Sequence, residues 1–175
     1  MLKEGRNTGK FAWKDLGDIE AGRPNLGPMT RVVVYRLMQY TLRAILVGHY
    51  GNDEADHILY EAGYLAGTEF CKSTLDTAVD FNLFLADLAA KLEELSIGIL
   101  RFENSDIRKM DFTLTLSEDL DCSGLPVSGE TVCAYDEGFI AGIFHTYTGR
   151  EFTAKEIDCW ATGARTCRFR AVQKP

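Results

Sequence analysis

At 175 residues, 46% hydrophobic and 26% charged, the chain has the composition of one globular domain with a sizeable core, which excludes intrinsic disorder, collagen and a disulfide-dense miniprotein. The formal charge is −7, and residues 51–121 hold 16 acidic against 5 basic side chains. No dense basic footprint is left to neutralise phosphates, so nucleic acid is not an expected partner.

Residues 1–27 are polar and glycine-rich (Gly5, Gly9, Gly17, Gly22 and Gly27) and read as an N-terminal arm with at most a short strand or turn near 11–13. No apolar stretch follows Met1, so no secretory signal is predicted and a cytoplasmic location is expected. Residues 28–175 read as a single domain. Pro28 suits the first turn of a helix over 29–48. Its apolar residues, among them Val33, Leu37, Met38, Leu42 and Ile45, are spread almost all round. Arg36 and Arg43 interrupt the run, so no membrane span is predicted. A helix apolar on more than one face is buried on more than one face. The extra face is expected to be covered by a second subunit, giving a homodimer.

A second helix is predicted over 54–71, capped by Asn52 or Asp53, and a third over 77–95. Alternation then marks strands at 97–102 and 110–116, with a turn at 104–108. Residues 117–129 read as a loop whose acids, Glu118, Asp119 and Asp121, are expected to be solvated. A fourth helix is predicted over 131–148, ended by Gly149, with Asp136 and Glu137 as first-turn acids that complement the dipole. Strands at 151–160 and 166–172 close the chain. The fold class is α+β: about four helices packed on an antiparallel sheet of about four strands.

One internal echo stands out. Tyr60 to Gly67 reads YEAGYLAG, and Tyr135 to Gly142 reads YDEGFIAG. Each places two glycines four apart on one helix face, at a cost of about 1 kcal/mol per glycine relative to alanine. Tight helix packing is the favoured explanation, and a ligand lying across the glycine face is the alternative.

Five cysteines occur, at 71, 122, 133, 159 and 167. In a hairpin centred on Gly163, Cys159 and Cys167 stand opposite each other, which suits either two ligands of one tetrahedral zinc or a disulfide. Cys133, near a helix start, is favoured as a thiolate. A fourth zinc ligand would be a carboxylate or an imidazole. His145 lies too far along the helix from Cys133. Glu156 is close to Cys159, but three residues away on a flat strand it faces the other side, so a bulge near 157–158 is required.

Cys133 to Gly142, then Thr148-Gly149-Arg150-Glu151, then Glu156 to Gly163 and Cys167-Arg168-Phe169 resemble the 4-vinyl reductase (4VR) domain family. The family is similar in fold to TRAPP subunits and to haem-nitric-oxide-binding sensors, and includes the ligand-sensing domains of phenol- and xylene-responsive activators. The resemblance implies zinc held by Cys133, Glu156, Cys159 and Cys167, in the family spacing Cys-x22-Glu-x2-Cys-x7-Cys. It also implies a small hydrophobic or aromatic ligand in a pocket between helices and sheet. Candidates for the lining are Tyr64, Phe81, Phe84, Phe112, Phe139, Phe144 and His145, although each aromatic is also an ordinary core residue. The phenol sensors orient their ligand with a histidine and a tryptophan. Here the histidines are His49, His57 and His145, the tryptophans Trp13 and Trp160, and the ligand's identity stays open.

The function expected is a sensor or carrier domain for an aromatic, hydrocarbon or tetrapyrrole-like molecule. Two alternatives stand beside it: an enzyme or accessory in chlorophyll vinyl reduction, and a TRAPP-like interaction subunit. Vinyl reduction needs a hydride donor, and the chain has no Gly-x-Gly-x-x-Gly fingerprint. It also lacks a Gly-x4-Gly-Lys-Ser/Thr phosphate loop.

Overall fold

The computed structural model describes residues 11–175. In chain order the elements are α1 (Ile19–Gly22), α2 (Val32–Tyr50), α3 (Asn52–Thr74), α4 (Phe81–Glu94), β1 (Ile99–Asp106), β2 (Asp111–Ser117), α5 (Ala134–Thr148), β3 (Phe152–Asp158) and β4 (Cys167–Gln173). The strands form one antiparallel sheet in the order β1-β2-β4-β3. The α+β class is as predicted, and the fifth helix, α1, is a single turn.

Local chemistry explains where element boundaries differ from expectation. Helix α4 starts at Phe81 rather than 77, because the Asp80 carboxylate accepts from the backbone N–H groups of Asn82 and Leu83 and so satisfies two orphan donors. Asn52 is the first residue of α3, not its cap; Gly51 takes that place with φ of 84°. The β1–β2 turn shifts to 107–110, because Asp106 Oδ1 accepts from the N–H groups of Arg108 and Lys109. Part of the predicted arm lies outside the described residues. At 13–16, where a strand or turn was expected nearby, stands a 3-10 turn. Its Trp13 N–H donates to Glu69 at 3.2 Å, and the ring meets Phe70 edge-on.

The core lies between α3, α4, α5 and the sheet. Phe112 of β2, Phe144 of α5 and Phe152 of β3 form a buried stack, with ring centroids 4.8 and 5.4 Å apart. Phe84 stacks on Tyr147 at 3.9 Å. The two echoed segments explain the closest contact in the molecule. A Cβ at Gly63 would lie 2.0 Å from the Tyr135 carbonyl oxygen, and one at Gly67 would lie 2.0 Å from that of Phe139. Reciprocally, a Cβ at Gly138 would lie 2.0 Å from the Tyr60 carbonyl oxygen, and one at Gly142 would lie 2.2 Å from that of Tyr64. Helices α3 and α5 therefore touch backbone to backbone, and tight packing accounts for the glycines.

Helix α2 departs from its expected burial. None of its side chains is buried. Tyr35, Arg36, Gln39, Tyr40 and Arg43 make up the half-buried face turned to the protein, while Val33, Leu37, Met38, Leu42 and Ile45 point outward. The usual amphipathic arrangement is inverted.

Gly138→Ala drives a methyl group into main chain that cannot yield, an overpacking cost of about 3 kcal/mol. In a domain of this size, thermal unfolding should show a drop of roughly 6–12 °C. Gly48→Ala in α2, where a Cβ meets open space, should be neutral or stabilising by up to about 1 kcal/mol.

Candidate metal centre

Four cysteines converge beneath the start of α5. Cys133 is the residue that caps this helix, Cys159 directly follows β3, Cys167 opens β4, and Cys122 lies in the loop between β2 and α5. All four are buried, and their sulfur atoms lie within 4.8 Å of one another. Sγ–Sγ distances are 3.9 Å for Cys133–Cys159, 4.0 Å for Cys133–Cys167 and 3.0 Å for Cys122–Cys167. A tetrahedral zinc with ordinary Zn–S bonds separates its sulfurs by about 3.8 Å, so the donor set has the size and softness for such an ion. All five cysteines are free thiols. Cys71 belongs to the hydrophobic core of α3.

The strand parity question has a structural answer. The β3–β4 register shifts between Glu156 and Asp158, leaving Ile157 exposed and turning both Glu156 and Cys159 inward. Glu156 Oε2 accepts from the Cys133 N–H at 3.3 Å, while its Oε1 is buried with no hydrogen-bond partner. The Glu156 N–H in turn donates to Glu137 at 2.9 Å, and Glu137 pairs with Lys155 at 2.8 Å. Glu137 and Asp136 do sit in the first helical turn, but both are buried rather than solvated.

Beside the cysteines lies an apolar cavity of about 30 Å³. Leu88 and Leu92 of α4, Leu114 and Leu116 of β2, and Phe139 and Phe144 of α5 wall it, and Asp136 is its one polar lining residue. Asp136 Oδ2 is buried and has no hydrogen-bond partner. Of the sequence candidates, Phe139 and Phe144 reach this cavity. Phe81, Phe84 and Phe112 belong to the aromatic core. Tyr64 and His145 face a separate surface groove, with ring centroids 5.7 Å apart. The His145 Nδ1 lies 3.0 Å from the Arg150 carbonyl oxygen.

Residues 112–173 match the 4VR domain family. The resemblance read from Cys133 to Phe169 falls inside that span. An uncharacterized protein of Methanocaldococcus jannaschii, MJ0150, is 26% identical over 156 residues, 89% of this chain and 85% of its own. Among solved structures, a vinyl-4-reductase family protein from the same organism aligns with TM-score 0.62 and 14% identity, over 98% of this chain and 100% of that one. The phenol-responsive sensory domain of the transcription activator PoxR, crystallised with phenol, gives 0.62 and 14%, over 84% and 76%. A trafficking protein particle complex subunit 3 from Naegleria fowleri, covalently bound to palmitic acid, gives 0.57 and 13%, over 83% and 98%. At these identities the likeness is one of fold, and the fold is that of 4VR and TRAPP-like proteins.

Sequence reasoning missed one member of the cysteine group and misjudged the acids beside it. Cys122 has no spacing signal, because it sits in an irregular loop. Asp119 and Asp121, expected to be solvated, are 1% and 4% exposed. Asp119 Oδ1 accepts from the N–H groups of Asp121 and Cys122, and Asp121 is taken up by Tyr35 and Gln39 of α2.

This crowding of acids sets the electrostatics. Burial, reinforced by Asp121, pushes the Asp119 carboxyl up to about 7. Burial also raises Asp121 and Asp136 and lifts Glu156 to about 8. Hydrogen bonding from Cys122, Cys133 and Cys167 holds the Cys159 thiol far below its ordinary range. Interactions led by that with Cys122 push Cys133 and Cys167 up. One thiolate thus forms readily and the next are opposed, an arrangement that a bound cation relieves.

In metal-free protein the folded Asp119 keeps its proton to about pH 7 while the unfolded chain releases it near 3.8. Between those values the folded state holds more protons, so stability falls as pH rises. Chelated protein should melt at least roughly 4 °C lower at about pH 8 than at about pH 5.5. Asp119→Asn, whose amide oxygen still accepts from Asp121 and Cys122, should shrink that gap. A melting temperature that climbs across the interval contradicts this assignment.

Proposed function

We propose that the protein is a 4VR-type sensor or carrier module: a domain over residues 28–175 behind an N-terminal arm, binding one small apolar or aromatic molecule and stapled by structural zinc. The observation that carries this reading is the apolar cavity between α4, α5 and the sheet, with the Asp136 carboxyl as its one polar lining group. Small-molecule sites have this make-up, a mostly apolar chamber with few polar groups to fix orientation. The 4VR match and the fold likeness to a phenol-responsive sensory domain support the same ligand class. A cavity of about 30 Å³ holds a water-sized group and not a ring. A ring therefore enters by displacing lining side chains, and that displacement is the change a sensor passes on.

Cys133, Cys159 and Cys167 supply three thiolates to the zinc, joining β3 and β4 to the first turn of α5. Closed by four protein ligands, the ion keeps no position for water and its role is structural. Reduced thiols of this kind suit a cytoplasmic protein. The outward half of α2 supports a homodimer, because Val33, Leu37, Met38, Leu42 and Ile45 are all more than half exposed in the single chain.

Native mass spectrometry of protein purified without chelator should show one zinc per chain, kept by Cys71→Ser and lost by Cys159→Ser. Calorimetry against phenol, p-cresol and xylene should find binding that Leu88→Trp, which fills the cavity, abolishes. If a folded Leu88→Trp variant binds as wild type does, the cavity is not the ligand site. Light scattering should report a dimer that Leu37→Glu combined with Ile45→Glu converts to a monomer. An unchanged mass for that variant moves the interface off α2.

A further inference from the structure

Two sets of contacts meet in the loop between β2 and α5. On one side, the Cys122 sulfur belongs to the four-sulfur group, 3.0 Å from that of Cys167. On the other, α2 is bound to the three residues just before Cys122. Tyr35 Oη donates to Asp121 Oδ1 at 2.7 Å and Gln39 Nε2 to Asp121 Oδ2 at 2.6 Å. Tyr40 Oη donates to the Asp121 carbonyl oxygen at 3.0 Å. The Arg36 guanidinium donates to the carbonyl oxygens of Leu120 and Asp119 at 2.7 and 3.2 Å. The Asp119 carboxylate closes the turn by accepting from the N–H groups of Asp121 and Cys122, at 2.7 and 3.3 Å.

We propose that Cys122, and not Glu156, is the fourth ligand of the metal, and that through Cys122 the metal fixes the turn from which α2 hangs. The proposal rests on the zinc reading above and departs from the ligand set implied by the family spacing. Four buried sulfurs already make a closed tetrahedral set, and two of their separations, 3.9 and 4.0 Å, approach the tetrahedral edge of about 3.8 Å. Glu156 has one oxygen engaged by the Cys133 N–H. It acts as a positioning residue that orients a ligand from outside the coordination shell. Helix α2 depends on the turn because it buries no side chain of its own. Its attachment consists of these five hydrogen bonds, the Arg43–Asp56 ion pair and a half-buried contact with α3. A helix held so thinly opens by itself once its anchor is released. Since α2 also carries the outward apolar face, loading of the metal centre governs whether that face is presented in order.

The test is cobalt(II) titration of chelator-stripped, reduced full-length protein, read by the thiolate-to-cobalt charge-transfer band, whose intensity follows the number of coordinating thiolates. Cys122→Ser should lower the band by about a quarter, four thiolates becoming three. Glu156→Gln should keep the full band even if affinity falls by about 10–100-fold, the range for residues outside the coordination shell. Hydrogen exchange of 32–50 should speed up in Cys122→Ser and on chelation of wild type. Should Cys122→Ser not fold, Cys122→Asp, which retains a donor, should give the three-thiolate band. A wild-type band left intact by these Cys122 variants, or lowered by Glu156→Gln, overturns the ligand assignment. Exchange of α2 indifferent to metal overturns the coupling. No cobalt band in wild type overturns the zinc reading itself.

Discussion

The backbone contact between α3 and α5 is the constraint on which the rest of the structure depends. Four glycines, Gly63 and Gly67 against Gly138 and Gly142, bring each helix within van der Waals reach of the other's carbonyl oxygens. No other residue type allows that approach. Helix α5 is thereby pinned between α3 and the sheet, which fixes the depth and rotation of its first turn. That turn carries Cys133, Asp136 and Glu137, which reach the sulfur group, the apolar cavity and the β3 bulge respectively. The propensity cost of four helical glycines is offset by a contact that sets the site's geometry.

A second consequence is a concentration of acids and thiols that a small domain would ordinarily avoid. Asp119, Asp121, Asp136 and Glu156 are buried beside four cysteines. Removing ionised carboxylates from water is costly, and the group answers by holding its protons. Part of the polarity is satisfied by the protein, through the turn at 119–122 and the polar side of α2. Part is not: one oxygen each of Asp119, Asp136 and Glu156 is without a partner. A divalent cation coordinated by thiolates changes that balance, which gives the cluster a physical reason to be a metal centre.

Helix α2 shows how far tertiary context can turn a sequence pattern round. Its apolar residues argue for burial, yet the face that meets the protein is Tyr35, Arg36, Gln39, Tyr40 and Arg43. The buried acids of the 119–121 turn select those donors, because an unsatisfied carboxylate inside costs more than a leucine left outside. The apolar half is then free for a partner surface, consistent with a fold related to proteins that assemble.

Much of the fold was legible in the sequence because it rests on local rules. Apolar periodicity, the glycine cap at 149 and the strand alternation around Phe112 and Phe169 gave the α+β class and the antiparallel sheet. The glycine echo announced a close helix contact. The spacing from Cys133 to Cys167 brought three of the four clustered cysteines together, along with the bulge that Glu156 needed. Cys122, Asp119 and Asp121 were out of reach because they sit in an irregular loop. There burial is decided by what packs on top, here α2, some 80 residues earlier in the chain. The same holds for the aromatics, where composition cannot separate the stacked core of Phe81, Phe84 and Phe112 from the cavity wall at Phe139 and Phe144. Periodicity, capping and spacing act within a dozen residues and are written in the chain; which side of a loop meets which face of a helix is a contest of burial and hydrogen bonding that exists only once the chain has closed on itself.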